Sequence, residues 1–466
     1  MSDRHLIQRQ VVELTVPARL DAQTLQTIVS RLCQDNLPAL LDRLCGQTAD
    51  PNIVYRLPHL ALDLGRLPAT AFENEFVDRL AALFAPALEQ ELAWLPAAAR
   101  DPVNDSLELL TTFLSGGMLP WWADAQERGL LSRHVALLAG RGTPAQQQAL
   151  HTLLRDAAAG RRLAAHLDDS LLERLLAAQR PDMAAWAAWR PRLLAALQGQ
   201  ADQWQTTAPA LRAAAWGELL ALSGNQPAGD LVAAGLRFPA VILLRLALRL
   251  GVTTGRLLAD LHRAGDEELQ RNLDQLPFDG ATAAMAAGAA AAAPRAEAVV
   301  DTAHALSNAG LVLLWPFLSQ LWEQLALLEN GRFVTLAAQQ RAVFISQALV
   351  MAEVPWPEYD LLLNKILCGL PLAAELPAPV PLTERELAAC EALLSAVIDQ
   401  VPIFGKMSTA QLRDTFLQRP GTLAAEAGGW LVNVERRTYD IVLERIPWPL
   451  TWVRLPWMDH LIRVAW

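Results

Sequence analysis

The sequence predicts a mainly α protein, with a small α/β N-terminal domain, a helical middle region, and a mostly helical C-terminal domain ending in short β segments. Three observations predict it. Leu, Ala and Trp recur at spacings of three and four from about residue 103 to 278, the period of helices with a buried stripe. Apolar residues alternate with polar ones in 6–16 and again towards Leu64, the period of a half-buried strand. After Gly428-Gly429 the pattern changes to short β-type runs.

Taken in order, residues 6–16 place Leu6, Val12, Leu14 and Val16 on one face and Arg9 and Glu13 on the other, which predicts a strand. Asp21 then stands as the N-cap of a helix with the stripe Leu25, Ile28, Leu32, Leu40, Leu41 and Leu44. Pro38 predicts a kink or split in that helix, and Gly46 suits the position just past its end. A second strand is expected over 53–64, with Leu60, Leu62 and Leu64 on one face and Gly65 at its end. Thr70-Ala71-Phe72-Glu73 reads as a capping box. The helix it opens turns Phe72, Phe76, Leu80 and Leu83 inward and sets Glu75 and Arg79 one turn apart outside.

The middle region is punctuated by Gly116-Gly117, Gly140-Arg141-Gly142, Pro181 and Gly224-Asn225, which predicts short helix pairs. No fixed repeat of 20 to 50 residues runs through it. Residues 279–299 (DGATAAMAAGAAAAAPRAEAV) lack the large apolar side chains of a core and read as a solvated helix or a linker. The expected organisation is therefore 1–100, 101–278, an Ala-rich linker over 279–300, and 301–466. In the last part Thr383-Glu384-Arg385-Glu386 is a second capping box, followed by the stripe Leu387, Cys390, Leu394, Val397 and Ile398. Ser408 opens another helix that Pro420-Gly421 stops, and 430–435, 451–455 and 461–466 read as short β segments.

Bulk composition narrows the function classes. The 466 residues are 53% hydrophobic and only 19% charged, below the usual quarter or so. Mean hydropathy is +0.19. This is explained either by large cores or by apolar surface covered by partners. The net charge of −10 argues against nonspecific nucleic-acid binding, which needs clustered Lys and Arg. Four cysteines, with no C-x-x-C pair, argue against a disulfide framework. The first ten residues carry early charges and no apolar core, unlike a signal peptide. The apolar runs Phe238–Leu250 and 311–318 are interrupted or short against the ~18–20 residues a bilayer needs, so no membrane insertion is expected.

Each near-match to a chemical motif fails on a named residue. The eight histidines include no pair at i, i+4, so no helical zinc motif forms. Gly405-Lys406 resembles the end of a P-loop, but Gln400 replaces the opening glycine and Met407 the metal-binding hydroxyl. Gly140-x-Gly142-x-x-Ala145 follows a helical pattern instead of a strand and contains Pro144, so it reads as a helix–helix turn. No G-x-S-x-G occurs. Asp168-Asp169 precedes Leu171 and Leu172 and reads as a helix start, where carboxylates favour the dipole, in preference to a metal site. No catalytic, cofactor-binding or metal-binding residue is assigned, and an enzyme would need a site built from scattered side chains.

The 15 tryptophans, against 3 tyrosines, are the unusual feature. Many adjoin proline: Pro120-Trp121, Trp315-Pro316, Pro355-Trp356-Pro357, Pro447-Trp448-Pro449 and Pro456-Trp457. Proline ends a helix or fixes a turn, and the indole plugs the joint. The alternative is that some are anchors for a partner. No basic residues interleave them, which argues against a base-stacking platform.

These same motifs carry a resemblance. HLIQRQVVELTV (5–16), IVYRLPHLALDLG (53–65) and FLSGGMLPWW (113–122) resemble the N-terminal part of the tape-measure family of contractile injection systems. So, more strongly, do LLWPFL (313–318), NKILCGLPL (364–372), LTERELAACEALLSAVI (382–398), LRDTFLQRPGTL (412–423), WLVNVERRTYDIVLERIPW (430–448) and LPWM (455–458) at the other end. Residues 125–300 carry little of it. The resemblance implies a structural assembly protein without cofactor that contacts the inner tube and the spike or baseplate hub, influences tube length, and has no catalytic residues. A homo-oligomer fits the same expectation. It implies assembly in the cytoplasm and residence inside the released particle; the alternative is an assembly chaperone or adaptor for baseplate or cargo. A continuous 466-residue helix would span roughly 700 Å, but 29 prolines and β-type segments at both ends exclude such a rod.

Overall fold

The computed structural model describes residues 5, 7, 10–17, 21–48, 55–57, 59–94, 101–125, 127–179, 184–204, 206–225, 238–276, 303–351, 356–377 and 381–466. The expected Ala-rich linker and the first residues of the expected second strand lie outside them. The chain is mainly α and divides into two compact units, 1–106 and 107–466.

In the first unit, helix α1 (Ala22–Asp35) begins where predicted: the Asp21 carboxylate accepts the Gln23 N–H and is held below its usual pKa by the Thr24 hydroxyl and that N–H. Asn36 breaks the chain before α2 (Leu37–Thr48), so Pro38 sits in the first turn of a new helix, where its missing N–H costs nothing. Helix α3 (Phe72–Trp94) buries Phe72, Phe76, Leu80, Phe84, Leu88 and Leu92, a strict repeat of four, against both.

Several local expectations need correction here. Leu83 is 41% exposed and Phe84 takes its place, because the stripe keeps step with every fourth residue. Gly46 lies inside α2, which continues to Thr48. Thr70 lies inside a 3₁₀ turn (Ala69–Ala71) that starts the helix early, so it caps nothing. The predicted strands are extended chain without a β-ladder among the described residues. The period of two holds over 59–65, whereas in the first segment Leu14, expected on the buried face with Val12 and Val16, is 39% exposed. Val12, Leu60, Leu62 and Leu64 pack on the helical core while their neighbours face outward. Burial of one face sets the alternation, and helices instead of strands supply the partner surface.

Helix α4 (Pro102–Gly116) precedes a run of short helices through the middle region: α5 (Leu130–Arg141), α6 (Pro144–Leu153), α7 (Ala157–His166), α8 (Asp169–Gln179) and α9 (Ala184–Gly199). The helix–helix turn expected here is shorter than read: Gly140 and Arg141 end α5, Gly142-Thr143 makes the turn, and Thr143 and Gln146 form a capping box around Pro144. Asp168 accepts the Leu171 N–H, as the helix-start reading requires. Helix α7 crosses α10 (Ala208–Asn225) at a glycine pair. A Cβ on Gly160 would come within 2.9 Å of the Gly217 Cα, so the two backbones meet with no side chain between them. Helices α11 (Phe238–Leu250), α12 (Thr254–Ala264) and α13 (Glu267–Asp274) complete the series.

Residues 303–466 surround a large apolar core. The Thr383 and Ser408 capping boxes both form. The stripe that Thr383 opens buries Cys390, Leu394, Val397 and Ile398 as predicted, but Leu387 is 43% exposed and Leu393 replaces it. The C-terminal β segments exist as β5 (Gly429–Val434), β6 (Trp452–Val453) and β7 (Leu461–Ala465). They join β1 (His304–Leu306) and β4 (Gly421–Glu426) in a sheet of order β1-β4-β5-β7-β6, antiparallel except for β5 with β7, while β2 (Leu328–Glu329) and β3 (Arg332–Phe333) pair separately. Strand β4 escaped the sequence reading because Thr-Leu-Ala-Ala-Glu has weak β propensity, and β1 because three residues give no period. Val432, Val434, Ile462 and Val464 turn to the core.

Gly310 marks the tightest join in this core. A methyl there would fall on the Phe416 carbonyl oxygen and beside the Leu417 Cα, both backbone. We expect Gly310→Ala to lower stability by about 2–3 kcal/mol through overpacking that no rotamer change relieves. The midpoint of urea unfolding followed by circular dichroism checks this, and an unchanged midpoint would contradict the packing described.

Candidate functional site

The Trp-Pro motifs are joints, and they lock to one another. The Trp315 indole N–H donates to the Pro449 carbonyl at 3.0 Å, and the Trp448 indole N–H returns to the Leu313 carbonyl at 3.1 Å. Phe317 meets the Trp448 ring edge-on, with centroids 5.0 Å apart. Trp457 donates to the Leu367 carbonyl at 2.9 Å. Each amphipathic ring plugs an apolar gap and ties one exposed carbonyl, which is what the joint reading requires. Trp322 and Trp356 are buried without a partner for their N–H groups.

Buried polar groups make further ties. Arg419 is fully buried and donates to the Thr415 and Glu435 carbonyls at 2.6 and 3.1 Å and to the Asp440 carboxylate at 2.5 Å. Asp440 also accepts the Trp466 N–H at 3.0 Å, fastening the C-terminal residue. The Asn308 amide bridges Gln347 and Asn364 at 2.8 and 2.7 Å, joining three segments in the core.

A third cluster lines a cavity of about 510 Å³ between α7, α10, the end of α11 and residues 344–377. Arg162 of α7 reaches the Leu114 and Ala373 carbonyls at 3.0 and 2.7 Å and the Glu358 carboxylate at 3.1 Å. Lys365, fully buried, holds the same carboxylate at 2.7 Å. Burial pushes its pKa down, and Glu358 resists that shift. Gly117, at φ +71°, lies against Glu358, where a side chain would collide. Arg161 forks onto Glu375 at 2.5 and 2.6 Å. Desolvation works against the Arg161 charge, and Glu375 outweighs it and keeps the pKa raised.

Among the described residues no group of three His, Cys, Asp or Glu side chains is placed to hold a metal ion, and no helix is long and apolar enough to cross a membrane. Gly405 follows a 3₁₀ turn (Pro402–Phe404) and Lys406 is exposed, so the pair forms a turn. Burial raises the Cys390 thiol to about 12 and lifts Cys368 further, so both are packing groups.

The segments joined by these ties are FLSGGMLPWW, LLWPFL, NKILCGLPL, LRDTFLQRPGTL, WLVNVERRTYDIVLERIPW and LPWM, distant in sequence and adjacent in the fold. A family model described as contractile injection system tape measure protein matches residues 4–466. The chain belongs to that family. No curated protein and no solved structure matches it. The family match also spans 125–300, where sequence inspection found little resemblance. The role of this tape measure chain is structural, and the Trp-Pro motifs at 313–318, 446–449 and 455–458 are joints of its C-terminal core. Sequence reasoning missed the buried cations Arg162, Lys365 and Arg419. Lys365 and Arg419 lie within motifs singled out above, and Arg162 lies in none of them.

One titration follows from the same geometry. His134 of the tape measure chain is 4% exposed. Burial pushes its pKa down to about 4, with Arg133 acting in the same direction and Glu127 against it. The unfolded imidazole titrates near ~6.5. Between these values the unfolded state binds more protons, so stability falls as the pH drops from about 6.5 towards 4. Asp360 acts oppositely: burial raises its carboxyl to about 6, so its contribution improves as the pH falls below that. We expect His134→Gln to lose about 1–2 kcal/mol less than the parent between pH 7 and pH 5. Urea midpoints at the two pH values measure this, and parallel pH profiles would contradict it.

Proposed function

We propose that the chain is a structural component of an extracellular contractile injection particle that links the inner tube to the spike or baseplate hub and influences tube length. It acts through protein contacts alone, without catalysis or cofactor. It assembles in the cytoplasm and remains inside the released particle, with self-association part of the same reading. The observation that carries the proposal is the family match over residues 4–466. The −10 net charge agrees with protein partners in place of nucleic acid. In this reading 1–100 and 301–466 are the contact-making ends, 101–278 the helical middle, and the Ala-rich 279–300 the joint between middle and end.

Quantitative mass spectrometry of purified particles tests it. The expected result is this chain at a small fixed number of copies per particle, cross-linked to the tube or hub protein. Its absence from finished particles, despite a need for it during assembly, would replace the proposal with an assembly chaperone or adaptor for baseplate or cargo.

A further inference from the structure

The cavity beside α7 has more cations than its carboxylates satisfy. Arg161 and Arg249 on its wall and Arg245 outside it share Glu375 and Glu218, and Asp156 adds its field at Arg161. Arg161 takes the two-point fork on Glu375, and Arg245 reaches Glu218 at 3.4 Å. Arg249 is left with a 3.6 Å approach to Glu375, beyond hydrogen-bond distance. Arg162 and the buried Lys365 both use Glu358, so on the cavity wall three guanidiniums, Arg161, Arg162 and Arg249, meet two carboxylates, Glu358 and Glu375, in a chain whose net charge is −10. Burial pushes the Arg249 pKa down and the charge of Arg161 adds to it, against Glu375 and Glu218.

The remaining walls are apolar and aromatic, with Leu211, Phe344, Trp356 and Leu376 among them and the Thr206 hydroxyl as a further polar group. Trp356 is 7% exposed and its indole N–H has no hydrogen-bond partner. A cavity of about 510 Å³ is of the size that encloses a small ligand or a few residues of peptide, roughly 300–1,000 Å³. A guanidinium fork matches a planar carboxylate at two points, as Glu375 already does on Arg161. The aromatic wall then suits an aliphatic neighbour of that carboxylate, which a bare inorganic anion lacks.

We propose that this cavity binds a short carboxylate-bearing peptide segment of a partner protein, with the carboxylate on Arg249 and an adjacent apolar side chain against Trp356 and Phe344. The site is independent of whether the chain sets tube length.

Calorimetric titration of the full chain with an end-blocked Leu-Leu-Glu peptide, its Leu-Leu-Gln counterpart and inorganic phosphate tests this. The expected result is saturable binding of the Glu peptide, at least about tenfold weaker binding of the Gln peptide, and about tenfold loss in Arg249→Gln. Arg249→Lys keeps the charge without the fork and is expected to recover only part of the affinity. Arg249 is 41% exposed, and circular dichroism of both variants verifies that they fold. No saturable binding of the Glu peptide up to about 10 mM, equal binding by both Arg249 variants and the parent, or phosphate binding as tight as the peptide would each overturn the proposal.

Discussion

Arg419→Ala is expected to lower the free energy of unfolding by about 3–5 kcal/mol, among the largest effects of any single substitution in this chain. The arginine is fully buried, and its guanidinium joins the π-helical turn Arg413–Leu417, the Glu435 carbonyl at the end of β5, and Asp440. Removal leaves the Asp440 carboxylate, 11% exposed, with only the Trp466 indole and the Arg437 backbone N–H as donors. An uncompensated buried charge costs more than the ion pair itself contributes. Arg419→Lys restores charge but not the planar fork that reaches two carbonyls and a carboxylate together, so it is expected to recover less than half of the loss. Chemical unfolding monitored by far-ultraviolet circular dichroism measures both. A loss under about 1 kcal/mol for the alanine variant would mean that the tie is incidental.

Trp322→Ala is expected to cost a similar amount, about 3–5 kcal/mol, for a different reason. The ring is fully buried in helix α14 (Trp315–Gln324) and its removal leaves a large cavity in the core shared with helix α15 (Leu336–Val350) and the sheet. Trp322→Phe separates ring from N–H. The indole N–H has no partner, so the phenylalanine variant loses some contact area but also sheds an unsatisfied donor, and should cost no more than about 1–2 kcal/mol. At Trp448 the opposite balance holds, because its N–H is bonded to the Leu313 carbonyl. There, Trp448→Phe should cost about 1 kcal/mol from the hydrogen bond alone.

The comparison of sequence with structure turns on what kind of signal each element carries. Three of the helix starts read from caps stand where expected, at Asp21, Thr383 and Ser408, whereas Thr70 lies inside a 3₁₀ turn and the Thr143 capping box went unread. Periodicity was equally informative about which face is buried, but not about what covers it. Residues 59–64 alternate as a strand would, yet they lie on helices, because a period of two records an extended chain with one wet side and nothing about its neighbours. The tryptophan joints were legible as joints, since proline and indole have local consequences. Their partners were not: Trp315 finds Pro449 and Trp457 finds Leu367 only through long-range packing. The cavity on α7 was illegible for the same reason, being assembled from residues between Arg161 and Pro377 that share no spacing.

This fold constrains how the chain could act as a measure. Residues 107–466 form one compact unit, and α7 is tied to residues 358–375 by buried ion pairs. A deletion within the middle helices would therefore remove packing as well as length. The Ala-rich segment 279–299 is the place where residues can be added with the least loss of core side chains. An insertion of about 40 residues there adds about 60 Å if helical and about 140 Å if extended. Electron microscopy of particles assembled with the lengthened chain measures tube length directly. A length-setting role predicts tubes longer than the parent's by an amount between those values, with a single sharp length maintained. Tubes of parental length, assembled in normal yield with the lengthened chain present, would contradict it.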